Sequence, residues 1–257
     1  MVHVSVIGVG NMGGAFVTGL AREGSHTVTA IDADPDALAA IEPHAEETTT
    51  DLDAAREADV VALAVKPDVI DTVLTDLDLR GGQTLLTFAA GVAREHVDER
   101  TDATVVRAMP NLAAETGDMA AAVTRNATDE VRALLDAVGE FVEIDESLFD
   151  VATAVNGSGP AFVFYLIDAM KRAGIDGGLD PENAEVLAAQ TFRGAAETVL
   201  RDDRSVEELI DAVCSPNGTT IEGMELLWDS DVQAEFAAAV GAAERRSEEL
   251  AAEFDDE

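Results

Sequence analysis

Gly8, Gly10 and Gly13 form a G-x-G-x-x-G array inside the stretch SVIGVGNMGG, residues 5–14. The β-branched residues Val2, Val4, Val6 and Ile7 ahead of it suit a buried strand. Phe16, Val17 and Leu20 behind it recur at helical spacing until Gly24. At a strand-to-helix turn the first glycine permits the tight turn, and the second lets backbone approach a pyrophosphate. The third lets the helix pack closely on the strand, and the helix start offers amides and a positive dipole end. Glycine-rich turns are common, so the array alone is weak. A second strand-like run, HTVTAID, places Asp32 nineteen residues beyond Gly13, where a carboxylate can accept hydrogen bonds from an adenosine ribose. Together these features predict dinucleotide binding.

Four other stretches fall where such a fold presents ligands. ADVVALAVKP (58–67) and VVRAMPN (105–111) end strands at the carboxyl edge of the sheet. NGSGPAF (156–162) is a small-residue turn inside helical sequence, and CSPNGTTIEG (214–223) opens a helix. Each, taken singly, also reads as an ordinary turn or cap.

The elements that must position these residues alternate. Strands are predicted over 2–7, 27–31, 59–64, 83–87, 104–107, 119–124 and 140–143, and helices over 11–22, 35–41, 51–57, 68–76, 93–99 and 128–137. This alternation predicts an α/β fold, an N-terminal Rossmann-like sheet, parallel and doubly wound with helices on both faces. From about residue 147 the sequence becomes alanine-rich with helical periodicity only. The expected division is therefore a dinucleotide-binding domain over 1–146 and an all-helical domain over 147–257.

Hydrophobic residues make up 47% of the 257, ample for a core, yet no apolar run approaches the roughly 18 to 20 residues of a membrane span. The first residues already read as a strand, so no signal peptide is expected. One cysteine, Cys214, rules out an internal disulfide framework and fits a reducing compartment, so the cytoplasm is the expected location. Histidines 3, 26, 44 and 96 lack metal-ligand spacing and read as surface or loop residues, so no metal is expected. The unusual feature is charge: 52 acidic residues against 16 basic ones, for a net charge of −36. That balance excludes a nucleic-acid footprint. The acids are spread along the chain, which points to a surface adapted to high salt, where the Debye length is about 3 Å and self-repulsion is screened.

The stretches taken together closely resemble the pyrroline-5-carboxylate reductase family, in a member of haloarchaeal type. The family pattern (GxGNMG, AVKP, RxMPN, GSGPA and SPGGTT) stands here as Gly8–Gly13, Ala64–Pro67, Arg107–Asn111, Gly157–Ala161 and Ser215–Thr220, in the same order. This chain departs from it at Asn217, at Asn156 (usually serine), at Leu112–Ala113 (usually Thr-Pro) and at Asp51 (commonly asparagine).

The resemblance implies reduction of 1-pyrroline-5-carboxylate to L-proline by hydride transfer from NADH or NADPH, the last step of proline biosynthesis. The cofactor is then expected against Gly8, Val9, Gly10, Asn11, Met12, Gly13, Asp32, Asp51, Ala64, Val65, Lys66, Pro67 and Asn111. Asp32 in AIDADPD favours NADH, because a 2′-phosphate there would meet like charge. The substrate, a cyclic imino acid, is expected against Ser215, Gly218, Thr219 and Thr220, with the Thr220 hydroxyl on the ring nitrogen as the catalytic contact. The helical half is expected to dimerise, giving a homo-oligomer of at least two chains that needs neither nucleic acid nor membrane. Two other readings stay open from the residues. One is a second two-domain reductase such as a β-hydroxyacid dehydrogenase, whose lysine would have to be Lys171. The other is a nucleotide-sensing protein without a substrate site.

Overall fold

The computed structural model describes residues 1–255. Its eight strands are β1 (His3–Ile7), β2 (Thr27–Ile31), β3 (Glu47–Thr49), β4 (Val60–Leu63), β5 (Thr84–Thr87), β6 (Thr104–Met109), β7 (Met119–Thr124) and β8 (Gly139–Ile144). They form one sheet in the order β3-β2-β1-β4-β5-β6-β7-β8. Strand polarity alternates between two cores, as the two-residue period of a strand requires. On one face Val4, Val6, Val60, Ala62, Leu86 and Val106 meet Phe16, Val17 and Leu20 of α1 (Asn11–Glu23). Val131, Leu134 and Leu135 of α5 (Asp129–Asp136) join the same core. On the other face Ile7, Ile31, Val61, Leu63 and Leu85 meet Ile70 and Leu74 of α3 (Ile70–Asp76). The doubly wound expectation holds, with α2 (Pro35–Ile41) and α4 (Arg94–Asp98) completing the helices of this region.

Three details differ from the sequence expectation. β3 lies in a polar stretch, EETTT, and is a three-residue edge strand with little apolar signal to reveal it. The segment over 51–57 is a 3₁₀ helix, Leu52–Glu57, capped by the Asp51 carboxylate. The sheet is not wholly parallel: β6 and β7 run antiparallel, in the register Ala108↔Val123 and Met109↔Ala122, before β7 and β8 return to parallel pairing. The link from β6 to β7 is too short for a crossover helix, so the chain turns back beside its own strand.

Contacts divide the chain into two compact units, residues Met1–Ser158 together with the segment from Gly241 on, and residues Gly159–Val240. The residues just after 146, expected in the helical half, pack with the sheet instead. Phe149 of α6 (Phe149–Ala152) is buried under the Arg107 guanidinium, 4.6 Å from its ring centre. A π-helical turn, Thr153–Gly157, follows. The helical unit contains α7 (Gly159–Asp176), α8 (Pro181–Arg201), α9 (Val206–Val213), α10 (Thr219–Trp228) and the first part of α11 (Val232–Asp255). Within the sheet unit the later part of α11 is held by Ser247, whose Oγ donates to Asp150 at 2.6 Å. No helix among the described residues is long and apolar enough to cross a membrane.

Candidate active site

Strand order reverses at β1, whose neighbours are β2 on one side and β4 on the other. The crevice beyond the carboxyl ends of β1 and β4 is where open α/β sheets bind ligands. The glycine turn fills it. Gly8 adopts a φ of +87° and its amide donates to the Ile31 carbonyl at 2.8 Å. A Cβ on Gly8 would lie 2.8 Å from Val65 Cγ1, and one on Gly13 would collide with the Gly8 carbonyl. These two positions are therefore closed by the protein itself. Gly10 is different: a Cβ there would meet nothing within 4 Å. It is exposed, it caps α1 with no side-chain hydrogen bond, and the first turn carries no acid. The free amides and open approach fit a pyrophosphate.

Asp32 closes the turn from the side. Its Oδ2 accepts the Val9 amide at 2.7 Å and its Oδ1 the Asp34 amide at 2.9 Å. An ionised carboxylate has about four acceptor positions, so ribose hydroxyls can still be accepted. Asp51 lies beyond the end of β3, next to Asp32, because β2 and β3 pair with Ile31 opposite Thr49. Asp32, Asp34 and Asp51 form no ion pair among the described residues, and Arg56 is tied to Asp53 and Asp78.

Ala64, Val65, Lys66 and Pro67 follow β4 at the same carboxyl edge, with the Ala64 amide on the Ile7 carbonyl at 2.8 Å. Lys66 is exposed and without an ion pair among the described residues. Asn111, expected beside the cofactor, is buried, and its side chain is engaged with protein. Its Nδ2 donates to the Asn156 carbonyl at 3.1 Å, and its Oδ1 accepts the amides of Ala113 and Ala120. Arg107, four residues earlier, is also buried and pairs with Glu146 at 3.0 Å. The Arg107–Glu146–Phe149 arrangement had no sequence signal beyond the presence of RAMPN.

Ser215, Gly218, Thr219 and Thr220 lie in the helical unit. The Gly218 amide returns to the Ser215 carbonyl at 2.9 Å, Asn217 takes a φ of 58°, and a Cβ on Gly218 would strike Ser215 Oγ. Asparagine tolerates the left-handed region better than most residues, so the departure at 217 leaves the turn intact. The turn delivers Gly218 as an N-cap with no side-chain bond, leaving the first amides of α10 free. Thr220 is half-buried and lines a cavity of about 410 Å³ with Val199, Leu209, Val213, Cys214 and Met224. Lys171, the residue a β-hydroxyacid dehydrogenase would require, is ion-paired with Glu185 of α8. No cluster of metal-ligating side chains occurs among the described residues.

The helical unit has almost no core of its own. Its buried side chains are Ala184 and Ala188, while Phe164, Tyr165, Leu200, Leu226 and Trp228 are between 57% and 76% exposed. Each large apolar side chain covered is worth about 1.5 to 3 kcal/mol, so these helices need a partner surface.

Residues 146–250 match the family model for pyrroline-5-carboxylate reductase dimerisation, and residues 3–91 match that for coenzyme F420-dependent NADP oxidoreductase. A pyrroline-5-carboxylate reductase of Methanosarcina acetivorans is 37% identical, over 96% of this chain and 97% of its own. The chain belongs to the pyrroline-5-carboxylate reductase family. Among solved structures, the pyrroline-5-carboxylate reductase of Coxiella burnetii superposes with a TM-score of 0.86 at 30% identity, covering 97% of this chain and 98% of that one. The Plasmodium falciparum pyrroline carboxylate reductase, solved with NADP bound, gives 0.81 at 25% identity with the same coverage. As a pyrroline-5-carboxylate reductase family member, the protein is an NAD(P)H-dependent oxidoreductase. It is a homo-oligomer, and the dimerisation match spans the helices whose apolar faces a single chain leaves uncovered.

Proposed function

We propose that this protein reduces 1-pyrroline-5-carboxylate to L-proline in the cytoplasm, with NADH as the preferred donor. The observation that carries the reading is the uncapped start of α10 at Gly218, in a family member whose glycine turn is intact at Gly8–Gly13. When bound, the dinucleotide supplies a hydride to the C=N carbon of the substrate ring. A cyclic imine is itself basic enough to bind as the iminium, with its ring nitrogen already protonated, and the more basic product amine keeps that proton, so the chain need not supply a general acid. That agrees with motifs that contain no histidine. The free amides of Thr219 and Thr220 bind the substrate carboxylate, Ser215 Oγ adds a further contact, and Thr220 Oγ1 accepts the ring N–H. Holding the ring at near-attack distance is the main contribution of such a site. Lys66 and Pro67 line the nicotinamide side.

The preference for NADH rests on Asp32, Asp34 and Asp51, all without a neutralising cation among the described residues. A 2′-phosphate 4 Å from one carboxylate would be opposed by roughly 4 kcal/mol at an effective dielectric of 20, and this wet edge reduces that to about tenfold in kcat/KM. The single cysteine supports a reducing compartment. NADH and NADPH oxidation with pyrroline-5-carboxylate, followed at several salt concentrations, tests the proposal. Oxidation of neither cofactor contradicts the reaction, and a higher kcat/KM with NADPH contradicts the preference alone.

A further inference from the structure

Two stretches conspicuous in the sequence, VVRAMPN and NGSGPAF, take no part in the proposed reaction, and the Asn111 side chain, expected beside the cofactor, is bonded to protein. The structure joins them to each other. The β6–β7 ladder has the register Met109↔Ala122, and its continuation sets Asn111 opposite Ala120. Pro110 falls at the intervening non-hydrogen-bonded position, so the next groups due to pair are those of Asn111 and Ala120, but the main-chain ladder ends at Met109↔Ala122. Backbone groups left unpaired near a core need substitutes, and two side-chain amides provide them. Asn111 Oδ1 accepts the Ala120 amide at 3.3 Å, and Asn156 Nδ2 donates to the Ala120 carbonyl at 3.0 Å. Asn156 Nδ2 also donates to the Met109 carbonyl at 2.7 Å, and Asn111 Nδ2 returns to the Asn156 carbonyl at 3.1 Å.

Each asparagine therefore holds the other's segment. Both acceptors facing Asn156 Nδ2 are carbonyls, which fixes the orientation of that amide. Asn156 Oδ1 is left buried without a donor, so this orientation is kept at the cost of one unsatisfied acceptor. The segment being held is the π-helical turn Thr153–Gly157, a type of irregularity often found at functional sites. It is pinned at the carboxyl end of β6. That end lies on the same sheet edge as the ends of β1, β4 and β5, because β1, β4, β5 and β6 are mutually parallel.

We infer that Asn111 and Asn156 are a pair of positioning residues, extending by their side chains the ladder that ends at Met109 and fixing the Met109–Asn111 and Thr153–Gly157 backbones as one rigid wall at the nicotinamide end of the sheet edge. The inference rests on the proposed imine reduction. The wall acts on hydride-transfer geometry, so its loss lowers kcat rather than cofactor affinity. Serine, usual in the family at 156, has one donor and can serve only one of the two carbonyls.

The test compares Asn156→Ala, Asn156→Ser, Asn111→Ala and the double alanine variant with the wild-type protein. Four readouts are needed: kcat, KM for NADH, the isotope effect with 4-deuterated NADH, and hydrogen exchange over 153–158. Asn156→Ala is expected to lose between about 10- and 100-fold in kcat, with KM for NADH held within about twofold, a larger isotope effect and faster exchange. Asn156→Ser should fall between it and wild type, and it decides the matter if the alanine variant does not fold. The double variant should be no slower than the slower single one, because the pair is one device. Unchanged kcat per folded protein, unchanged exchange, or additive losses in the double variant would overturn the inference. A wild-type protein that oxidises neither cofactor with pyrroline-5-carboxylate would instead defeat the reaction itself, while exchange over 153–158 still reports whether the two amides hold the turn.

Discussion

The Asp32 carboxylate lies 2.7 Å from the Val9 amide and so ties the end of β2 to the glycine turn after β1. One side chain thereby shapes the glycine turn and adds a carboxylate at the proposed ribose edge. Asp32→Asn keeps an acceptor for the Val9 amide and removes the charge. It is expected to raise kcat/KM with NADPH relative to NADH by about tenfold, which corresponds to about 1.4 kcal/mol. Steady-state kinetics with both cofactors checks this, and an unchanged ratio would remove Asp32 as the selector.

Gly10 and Gly13 separate a binding requirement from a folding one. Gly13→Ala places a methyl group into the Gly8 carbonyl and is expected to destabilise by about 1 to 3 kcal/mol. Gly10→Ala finds open space at a φ of −64°, so its melting temperature should match the wild type while its affinity for NADH falls. Thermal denaturation and cofactor titration of the two variants read these effects separately.

Thr220→Ala removes the hydroxyl assigned to the ring nitrogen. The expected loss in kcat/KM corresponds to about 1 to 3 kcal/mol, with NADH binding little changed. Wild-type kcat/KM in this variant would take Thr220 out of the site.

Much of this was legible in the sequence because its signals are local. Short apolar runs marked β1, β4 and β5, and Gly8, Gly10 and Gly13 marked the turn. β3 escaped because Glu47–Thr49 is polar and lies on the sheet edge. The antiparallel β6–β7 pair escaped because the apolar pattern of a strand does not reveal its direction. The engagement of Asn111 with Asn156 joins positions 45 residues apart, and only the folded register brings them together. The allocation of residues 147–158 to the sheet unit follows from the burial of Phe149 and from the bonds of Asn156, neither of which has a periodic signature.

The charge predicts a salt requirement. A net charge of −36 far exceeds the magnitude of about 2 to 8 suited to a small soluble domain. At 0.01 M ionic strength the screening length is about 30 Å, so carboxylates across the molecule repel one another and also an anionic dinucleotide and substrate. The helices that expose Phe164, Tyr165 and Leu226 are therefore expected to hold a partner only once this repulsion is screened. Circular dichroism, light scattering and activity from about 0.05 M to 3 M KCl should show dissociation or unfolding at the low end and an active oligomer in molar salt. A folded, fully active oligomer in dilute buffer would contradict the high-salt reading.

NADH oxidation by the purified protein in molar KCl, with 1-pyrroline-5-carboxylate as the only substrate and proline measured as product, tests the proposed reaction most directly. Turnover that depends on the imino acid is expected, with one proline formed for each NADH consumed. Absence of proline with both NADH and NADPH, from protein shown to be folded and oligomeric, would contradict it.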